Sequence, residues 1–221
     1  MHLWNFHSHI SNCYSILNID LSEEDTKPLP NSSFYTLGLH PWFIKNKEII
    51  DDYKIILNKH LRNDINNSKL IGIGECGLDR LKGPDLSVQI KILEQILILA
   101  KQHNLPITLH CVRSYPELIK LIKPYFQHIN IAIHGFNGSE KEAEALLKHG
   151  VKLSFGISLL KSKKLQNYVK NLQIKDIFLE TDDSLIDINE IYCLVSKIKQ
   201  LHISELTKQI QKNIFNFFAL S

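Results

Sequence analysis

Two periodicities of apolar positions alternate along the chain. Short runs rich in β-branched and aromatic residues are followed by longer stretches in which apolar residues recur with helical spacing. The short runs predict strands and the longer stretches predict amphipathic helices. The predicted strands cover residues 3–7, 14–20, 34–39, 70–74, 107–110, 129–134, 151–155 and 177–180. The predicted helices cover residues 48–62, 85–103, 116–126, 140–149, 161–172, 189–201 and 205–220.

The alternation of strand and helix is typical of parallel strands joined by crossover helices. Eight such strands favour a closed α/β barrel of the TIM-like (β/α)8 type over an open sheet. Residues 10–13, between the first two strands, are too few for a crossover connection, which needs about a dozen residues. We therefore predict a distorted barrel, with the helix after the first strand missing or reduced, in a single domain spanning residues 1–221.

Several predicted helix boundaries carry characteristic residues. Ser139 and Glu142 have the spacing of a capping box, and Gly150 stands where a left-handed C-terminal cap is expected. Pro116 suits a first helical position. The polar segment 22–33 is predicted to be a surface connector rather than a lid.

The composition of the chain is that of a soluble globular protein. Of its 221 residues, 44% are hydrophobic and 22% are charged, and no apolar stretch approaches the roughly 20 residues of a membrane span. The first residues lack the pattern of a secretory signal, so we expect a cytoplasmic protein. The cysteines have no Cys-x-x-Cys spacing and are predicted to be free thiols: Cys13, Cys76, Cys111 and Cys193.

The formal net charge of +3 is small, and the lysines are spread along the predicted helices. Tight nonspecific binding to duplex DNA depends on many phosphate contacts, so the charge argues against it. It leaves open a weakly held nucleic-acid substrate. The densest basic group, residues 161–164, is expected to be a solvated helix start.

Histidines gather where predicted strands end. Of the 11 histidines, five lie at or just beyond a strand's carboxyl end: His7, His9, His40, His110 and His134. The parallel strands of a barrel all end on one face, and active sites are built on that face. The distribution therefore predicts one shared site.

The first predicted strand and the fourth supply three candidate metal ligands. His7 and His9 are two residues apart, so both side chains point to the same side of the strand and can bind one metal ion. An isolated His-x-His pair is a weak signal, and its position beside the other candidates gives it weight. Glu75 follows a glycine-containing apolar strand and can bridge two cations. Its structural alternative is an ion pair with Arg80 or Arg113.

The remaining candidate ligands end three later strands. His110 and His134 each present an imidazole where an apolar strand gives way to solvent. Asp182, after the eighth strand, is the candidate general base, because a carboxylate there can ligate a metal and take a proton from water. Glu180 is expected to orient a ligand. Turn or cap roles are expected for Asp79 and Asp183.

With these residues in view, the chain resembles the TatD family of metal-dependent deoxyribonucleases, part of the amidohydrolase-like barrels. The resemblance runs nearly end to end and rests on six blocks in family order: residues 6–9 (FHSH), 38–42 (GLHPW), 72–79 (GIGECGLD), 106–110 (PITLH), 134–138 (HGFNG) and 179–182 (LETD). It implies phosphodiester hydrolysis with two divalent ions, commonly Mg, Mn or Zn. The implied metal ligands are His7, His9, Glu75, His110, His134 and Asp182.

The resemblance and the residues together give a mechanistic hypothesis. One ion is expected at His7, His9, Glu75 and Asp182, and a second at Glu75, His110 and His134. Asp182 and Glu75 are the expected catalytic residues. His40 and Arg113 are expected to hold the substrate phosphate. A packed loop histidine and a surface salt bridge are their equally weighted alternatives.

Departures from the family pattern leave the substrate open. The stretch between His9 and Gly38 is shortened, Asp183-Ser184 replace the usual proline and small residue, and Cys111-Val112-Arg113 differs from the usual His-x-Arg. The expected partner is DNA or a small phosphodiester, with no membrane and no obligate protein partner. The same chemistry can serve an amide, a lactone or an aminoacyl ester. A noncatalytic metal-binding scaffold is the remaining alternative.

Overall fold

The computed structural model describes residues 2–10, 14–21, 34–45, 48–63 and 69–220. Eight parallel strands form one sheet in chain order, each hydrogen-bonded to the next. The strands are β1 (Asn5–Ser8), β2 (Ser15–Asp20), β3 (Tyr35–Leu39), β4 (Leu70–Asp79), β5 (Ile107–Val112), β6 (Ile131–Ile133), β7 (Lys152–Phe155) and β8 (Ile177–Leu179).

The last strand returns to the first. The Asp182 backbone N–H donates to the His7 carbonyl at 3.1 Å, and the His9 N–H donates to the Asp182 carbonyl at 3.1 Å. Ser8 and Asp182 form a parallel bridge. The sheet is therefore a nearly closed barrel, which confirms the predicted TIM-like fold.

Helices cover the barrel between its later strands. They are α1 (Ile49–Asn63), α2 (Leu86–His103), α3 (Tyr115–Ile122), α4 (Glu140–Leu147), α5 (Ile157–Lys161), α6 (Lys163–Asn171), α7 (Ile188–Lys199) and α8 (Ile203–Phe218). Between β1 and β2, the described residues 9, 10 and 14 are not helical. The rest of that connection, and the predicted connector 22–33, lie outside the described residues.

A cluster of phenylalanines covers the point where the barrel closes. Phe6 of β1 stacks on Phe178 of β8 with ring centroids 4.0 Å apart. Phe217 of α8 meets both rings edge-on, at 5.6 and 5.3 Å. All three are buried. Aromatic rings contribute large apolar areas, so this cluster stabilises the adjacency of the two strands whose ends approach the candidate site.

Two differences from the predicted elements have a clear local cause. The helix predicted at 161–172 begins only at Lys163, and a short helix that was not predicted, α5, precedes it. Ser162 has an extended backbone, and its hydroxyl accepts a hydrogen bond from the Leu165 N–H at 3.3 Å. This caps α6 and separates it from α5. Strand β4 continues past Gly74 to Asp79. Gly77 permits this, because its φ is +155° and a Cβ there would lie 2.0 Å from the His110 carbonyl oxygen.

Other local predictions agree with the structure. Ser139 and Glu142 form the capping box of α4, and Pro116 lies in the first turn of α3. Cys76, Cys111 and Cys193 are free, while Cys13 lies outside the described residues. In the described ranges, no helix is both long enough and apolar enough to cross a membrane.

Candidate metal centre

The predicted ligands converge at the carboxyl ends of the strands. They are carried by or directly follow β1, β4, β5, β6 and β8, and His40 follows β3 in the same way: His7, His9, His40, Glu75, His110, His134 and Asp182. Glu75 lies at the centre, because its two carboxylate oxygens face different histidines. Its side chain is buried.

The Oε2 atom of Glu75 faces the first strand. His7 Nε2 lies 3.2 Å and His9 Nε2 lies 3.5 Å from this oxygen. Asp182 Oδ1 lies 3.6 Å from His7 Nε2 and 3.5 Å from His9 Nε2. These four residues offer ligand atoms within 4.8 Å of one another, which is a suitable arrangement for one ion.

The Oε1 atom of Glu75 faces three other histidines. His134 Nε2 is 2.6 Å away, His110 Nδ1 is 2.7 Å away and His40 Nε2 is 3.1 Å away. His40, Glu75 and His110 form a second group of potential ligands. The sequence hypothesis assigned His134 to this group, and the structure places both His134 and His40 beside the same oxygen.

Hydrogen bonding separates the role of His40 from that of the other histidines. Its Nδ1 accepts a hydrogen bond from the Trp42 backbone N–H at 3.2 Å. Nδ1 of the neutral ring is therefore the acceptor, and Nε2 carries the proton. That N–H points toward Glu75. His40 is thus suited to donate a hydrogen bond rather than to ligate an ion through Nε2.

Charge dominates the ionisation of the two carboxylates. Burial by itself would raise the pKa of Glu75, but the charge of His134 and hydrogen bonds from the surrounding histidines hold it well below its usual range. Burial likewise opposes ionisation of Asp182, and hydrogen bonds from His7 and His9 hold its pKa below the ordinary value. Both groups are therefore carboxylates at neutral pH.

The same contacts affect the imidazoles. Burial would lower the pKa of His9, but hydrogen bonds to Asp182 and Glu75 outweigh it and raise the pKa to about 10. The pKa of His134 is raised well above its usual value despite its burial, by the charge of Glu75 and by Glu180. Without an ion, these imidazoles therefore hold protons at the positions where an ion would bind.

Supporting contacts hold two of the histidines. Glu180 is fully buried, with Oε1 3.4 Å from His134 Nδ1, and it accepts a hydrogen bond from the Gly135 N–H at 2.6 Å. The 3.4 Å contact has no hydrogen-bond geometry, so we treat it as an electrostatic contact. Glu180 thus occupies the predicted orienting position. Asp79 Oδ2 lies 3.2 Å from His110 Nε2.

Asp79 has a larger role than the turn predicted for it. Its Oδ1 accepts hydrogen bonds from the N–H groups of Leu81 and Lys82, which is the expected turn. Its Oδ2 contacts His110 and the Trp42 indole, and these contacts were not predicted from the sequence. The sequence feature that could have indicated them is the four-residue spacing between Glu75 and Asp79. Residues four apart on one strand share a face, once β4 is known to continue.

The two arginines considered for Glu75 lie elsewhere. Arg80 pairs with Glu117 at 2.5 Å and donates from Nε to the Arg113 carbonyl at 3.0 Å. The alternative that Glu75 forms an ion pair with Arg80 or Arg113 is therefore wrong. Arg113 is exposed, with a φ of +51°, and across the described residues no hydrogen bond or ion pair engages its guanidinium.

The donor set fits divalent cations. Imidazole nitrogens and carboxylate oxygens together suit Zn and Mn, and carboxylates suit Mg. Five imidazoles surround the single buried carboxylate of Glu75, which is far more donor capacity than an ion pair requires. Orienting contacts behind metal-binding histidines are typical of such sites, and Glu180 and Asp79 supply them.

Comparison with known proteins identifies the family of the chain. A model of the family described as TatD related DNase matches residues 8–219. The chain belongs to the TatD family. Its relatives include the Escherichia coli (strain K12) protein named uncharacterized metal-dependent hydrolase YjjV, 24% identical over 88% of this chain and 78% of that protein. The Erwinia amylovora protein named 3'-5' ssDNA/RNA exonuclease TatD is 28% identical over 69% of this chain and 58% of its own length.

The fold is also that of the TatD family. The crystal structure of the Escherichia coli K12 TatD homologue YjjV superposes with a TM-score of 0.77 at 21% identity, over 94% of this chain and 86% of that one. The TatD family protein from Entamoeba histolytica gives a TM-score of 0.76 at 22% identity, over 92% of this chain and 83% of that one. The chain is thus a metal-dependent hydrolase of the TatD family, built on its barrel.

Proposed function

We propose that this TatD family hydrolase cleaves phosphodiester bonds in single-stranded nucleic acid with two divalent ions. The observation that carries the proposal is the position of Glu75, whose two oxygens face two separate groups of donors. The Erwinia amylovora relative, named an exonuclease of single-stranded DNA and RNA, supports this class of substrate. Phosphodiesters carry negative charge that repels a nucleophile, so they benefit from a site of this kind.

The proposed ion sites use the donors on the two sides of Glu75. His7, His9, Glu75 and Asp182 would hold one ion. Glu75, His110 and His134 would hold the other, with His134 in place of His40. Mg, Mn and Zn are the candidate ions. When bound, two such ions supply an acidified water and stabilise charge on the attacking and leaving oxygens.

The residues of the chain supply proton transfer and orientation. The Asp182 side chain is 37% exposed, so water reaches this carboxylate, which accepts the proton of the attacking water. The Nε2–H of His40, which faces Glu75 Oε1 in the metal-free protein, would donate to a phosphate oxygen of the substrate once an ion binds that carboxylate. Arg113, exposed at the end of β5, pairs with a phosphate at the rim. These are the roles that we propose for the predicted catalytic and substrate-binding residues.

The test is hydrolysis of a single-stranded oligonucleotide by protein stripped of metal and resupplied with Mg, Mn or Zn. We expect cleavage to return with metal in the wild-type protein. Asp182→Asn should lower kcat by roughly 10²- to 10⁴-fold, because amide nitrogen and oxygen accept no proton at neutral pH. Metal content measured on both proteins separates loss of the base from loss of the ion.

The outcomes separate the alternatives. Full turnover by Asp182→Asn would remove Asp182 as the base. Metal uptake without cleavage of any oligonucleotide would overturn the nuclease proposal, and a panel of amides, lactones and aminoacyl esters would then identify the substrate class. A folded protein that takes up no divalent ion would overturn metal-dependent catalysis and support a noncatalytic binding or scaffolding role.

A further inference from the structure

Exposed apolar side chains gather on the face that carries the metal centre. Seven large hydrophobic residues are exposed in the described ranges, and two of them, Ile55 and Ile98, lie on outer helices. The other five lie in segments that follow strands: Ile10, Trp42, Phe43, Leu81 and Leu185. Exposed apolar groups concentrated at a site indicate a surface that contacts a ligand.

Trp42 stands out among them because its ring is exposed and anchored at once. The residue is 41% exposed, and its indole N–H donates to Asp79 Oδ2 at 2.6 Å. Its ring centroid lies 4.7 Å from that of His40 and 6.0 Å from that of His110, each at 80°. The indole therefore borders the metal centre and lies nearly perpendicular to both histidine rings.

The loop that anchors the indole is itself braced. The buried side chain of Gln89 accepts a hydrogen bond from the Asp79 N–H at 2.7 Å and donates to the carbonyls of Asp79 and Lys82 at 2.8 and 3.1 Å. Gly83 lets the loop approach the segment that carries Trp42. Its φ is +84°, and a Cβ there would lie 2.4 Å from the Pro41 carbonyl oxygen. The ring is thus held in a fixed orientation.

A flexible cation lies over the indole ring. Lys82 Nζ lies 3.8 Å from the ring centroid, and the lysine is exposed. A cation over an exposed indole stabilises the folded protein only weakly. A nucleobase stacked on an aromatic ring contributes more to binding. A base can therefore replace the ammonium group, which remains close enough to meet the phosphates of the same strand.

We propose that Trp42 is the stacking platform for a base of the nucleotide next to the scissile phosphate, with Lys82 contacting that strand's backbone. This inference rests on the proposed function for its substrate, a single strand of nucleic acid. An exposed ring beside a cation is the combination that binds single strands with little sequence preference. A base paired within a duplex keeps its faces stacked on its neighbours, so the platform favours unpaired strands.

The test combines two variants with two substrates. Trp42→Phe and Trp42→Leu both lose the indole N–H bond to Asp79, but only phenylalanine keeps an aromatic face. The substrates are an oligothymidylate and an abasic oligomer of equal length. We expect kcat/KM on oligothymidylate to be on the order of 10-fold lower for the leucine variant than for the phenylalanine variant. On the abasic oligomer the two variants should match each other.

Fluorescence gives a second readout that needs no turnover. The chain has two tryptophans, and Trp4 is buried. Oligothymidylate should quench the emission of the metal-free wild-type protein more than the abasic oligomer does. The Trp42→Phe variant, which keeps Trp4 alone, supplies the blank. Matching losses for the leucine variant on both substrates, or no base-dependent quenching, would overturn the platform. Base-dependent quenching of the metal-free protein, together with no cleavage after metal is restored, would support the platform and overturn the nuclease proposal.

Discussion

Glu75 touches every histidine of the site through one oxygen or the other. Four of the five imidazoles are themselves buried, and His9 is partly buried. A buried charge is tolerated only when it is paired, and here one carboxylate is surrounded by five imidazoles. The residue therefore serves two purposes. It joins the two proposed ion sites, and it supplies the negative charge that the metal-free site requires.

Glu75→Gln tests both purposes. The amide keeps the size of the side chain and removes its charge, so we expect the number of ions bound per chain, measured by calorimetric titration, to fall. The metal-free variant should also lose about 3–5 kcal/mol of unfolding free energy, because a buried imidazolium is left without its partner. Glu117→Gln, which removes the exposed partner of Arg80, is the control and should change neither quantity much. Unchanged ion stoichiometry in Glu75→Gln would contradict the bridging role.

At the scale of elements, the strand ends that carry histidines could be predicted from the sequence. His7, His9, His110 and His134 stand at the ends of apolar runs, and the repeated strand–helix order shows that these ends share a face. The length of β4 was not predictable in this way. Its glycines resemble a strand's end in sequence, whereas in the barrel they allow β5 to approach closely. Because the strand was predicted to end at residue 74, the prediction did not place Asp79 on the same strand face as Glu75.

The break between α5 and α6 has a similar origin. Residues 157–171 have a helical pattern on both sides of Ser162, and only the hydroxyl bond to the Leu165 N–H shows that a new helix begins there. The tautomer of His40 and the orientation of Trp42 also could not be predicted from the sequence. Each depends on a contact between separate loops or within one turn, which periodicity does not encode.

Gln89, in the first turns of α2, tests the link between an element and the site. Gln89→Leu leaves buried backbone groups of the 79–84 loop unpaired, so we expect about 1–3 kcal/mol less unfolding free energy. Because this loop fixes Trp42, the variant should also prefer oligothymidylate over the abasic oligomer less than wild type does. Denaturant unfolding and paired kcat/KM values measure the two effects.

The matched control for Gln89 is Gln166→Leu. Gln166 in α6 donates to the carbonyls of Leu159 and Leu160, so its loss also unpairs backbone groups, in a segment without contact to Trp42 among the described residues. We expect lower stability with the substrate preference intact. Equal loss of preference in both variants would show that general loosening, rather than the platform loop, is responsible.

At the scale of the whole molecule, the histidines of the metal-free site bind protons that an ion must displace. The pKa of His9 is raised to about 10 and that of His134 is raised well above its usual value, so these two groups are protonated at neutral pH when no ion is present. The pKa of His7 is also raised. A metal ion binds the unprotonated imidazole, so binding must release those protons. The affinity of the protein for divalent ions therefore depends on pH.

The sign of this dependence follows from the raised pKa values. Affinity should increase as pH rises from 6 toward 10, because fewer protons remain to be displaced. Calorimetric titration in buffers of different ionisation enthalpy measures the protons released per ion. We expect a positive number at pH 7 that decreases as pH approaches 10. Ion binding with no proton release at pH 7 would contradict the ionisation described for the cluster.

The hydrogen bonds of Asp182 to the backbone of His7 and His9 have a consequence for biosynthesis. They bring ligands from the first and last strands together, so a ribosome must finish β8 before the first ion site has all of its donors. A nascent chain that ends at β7 carries most of the histidines but lacks the carboxylate that completes this set. The proposed ion site therefore gains its full set of donors only after the chain has been synthesised past its last strand.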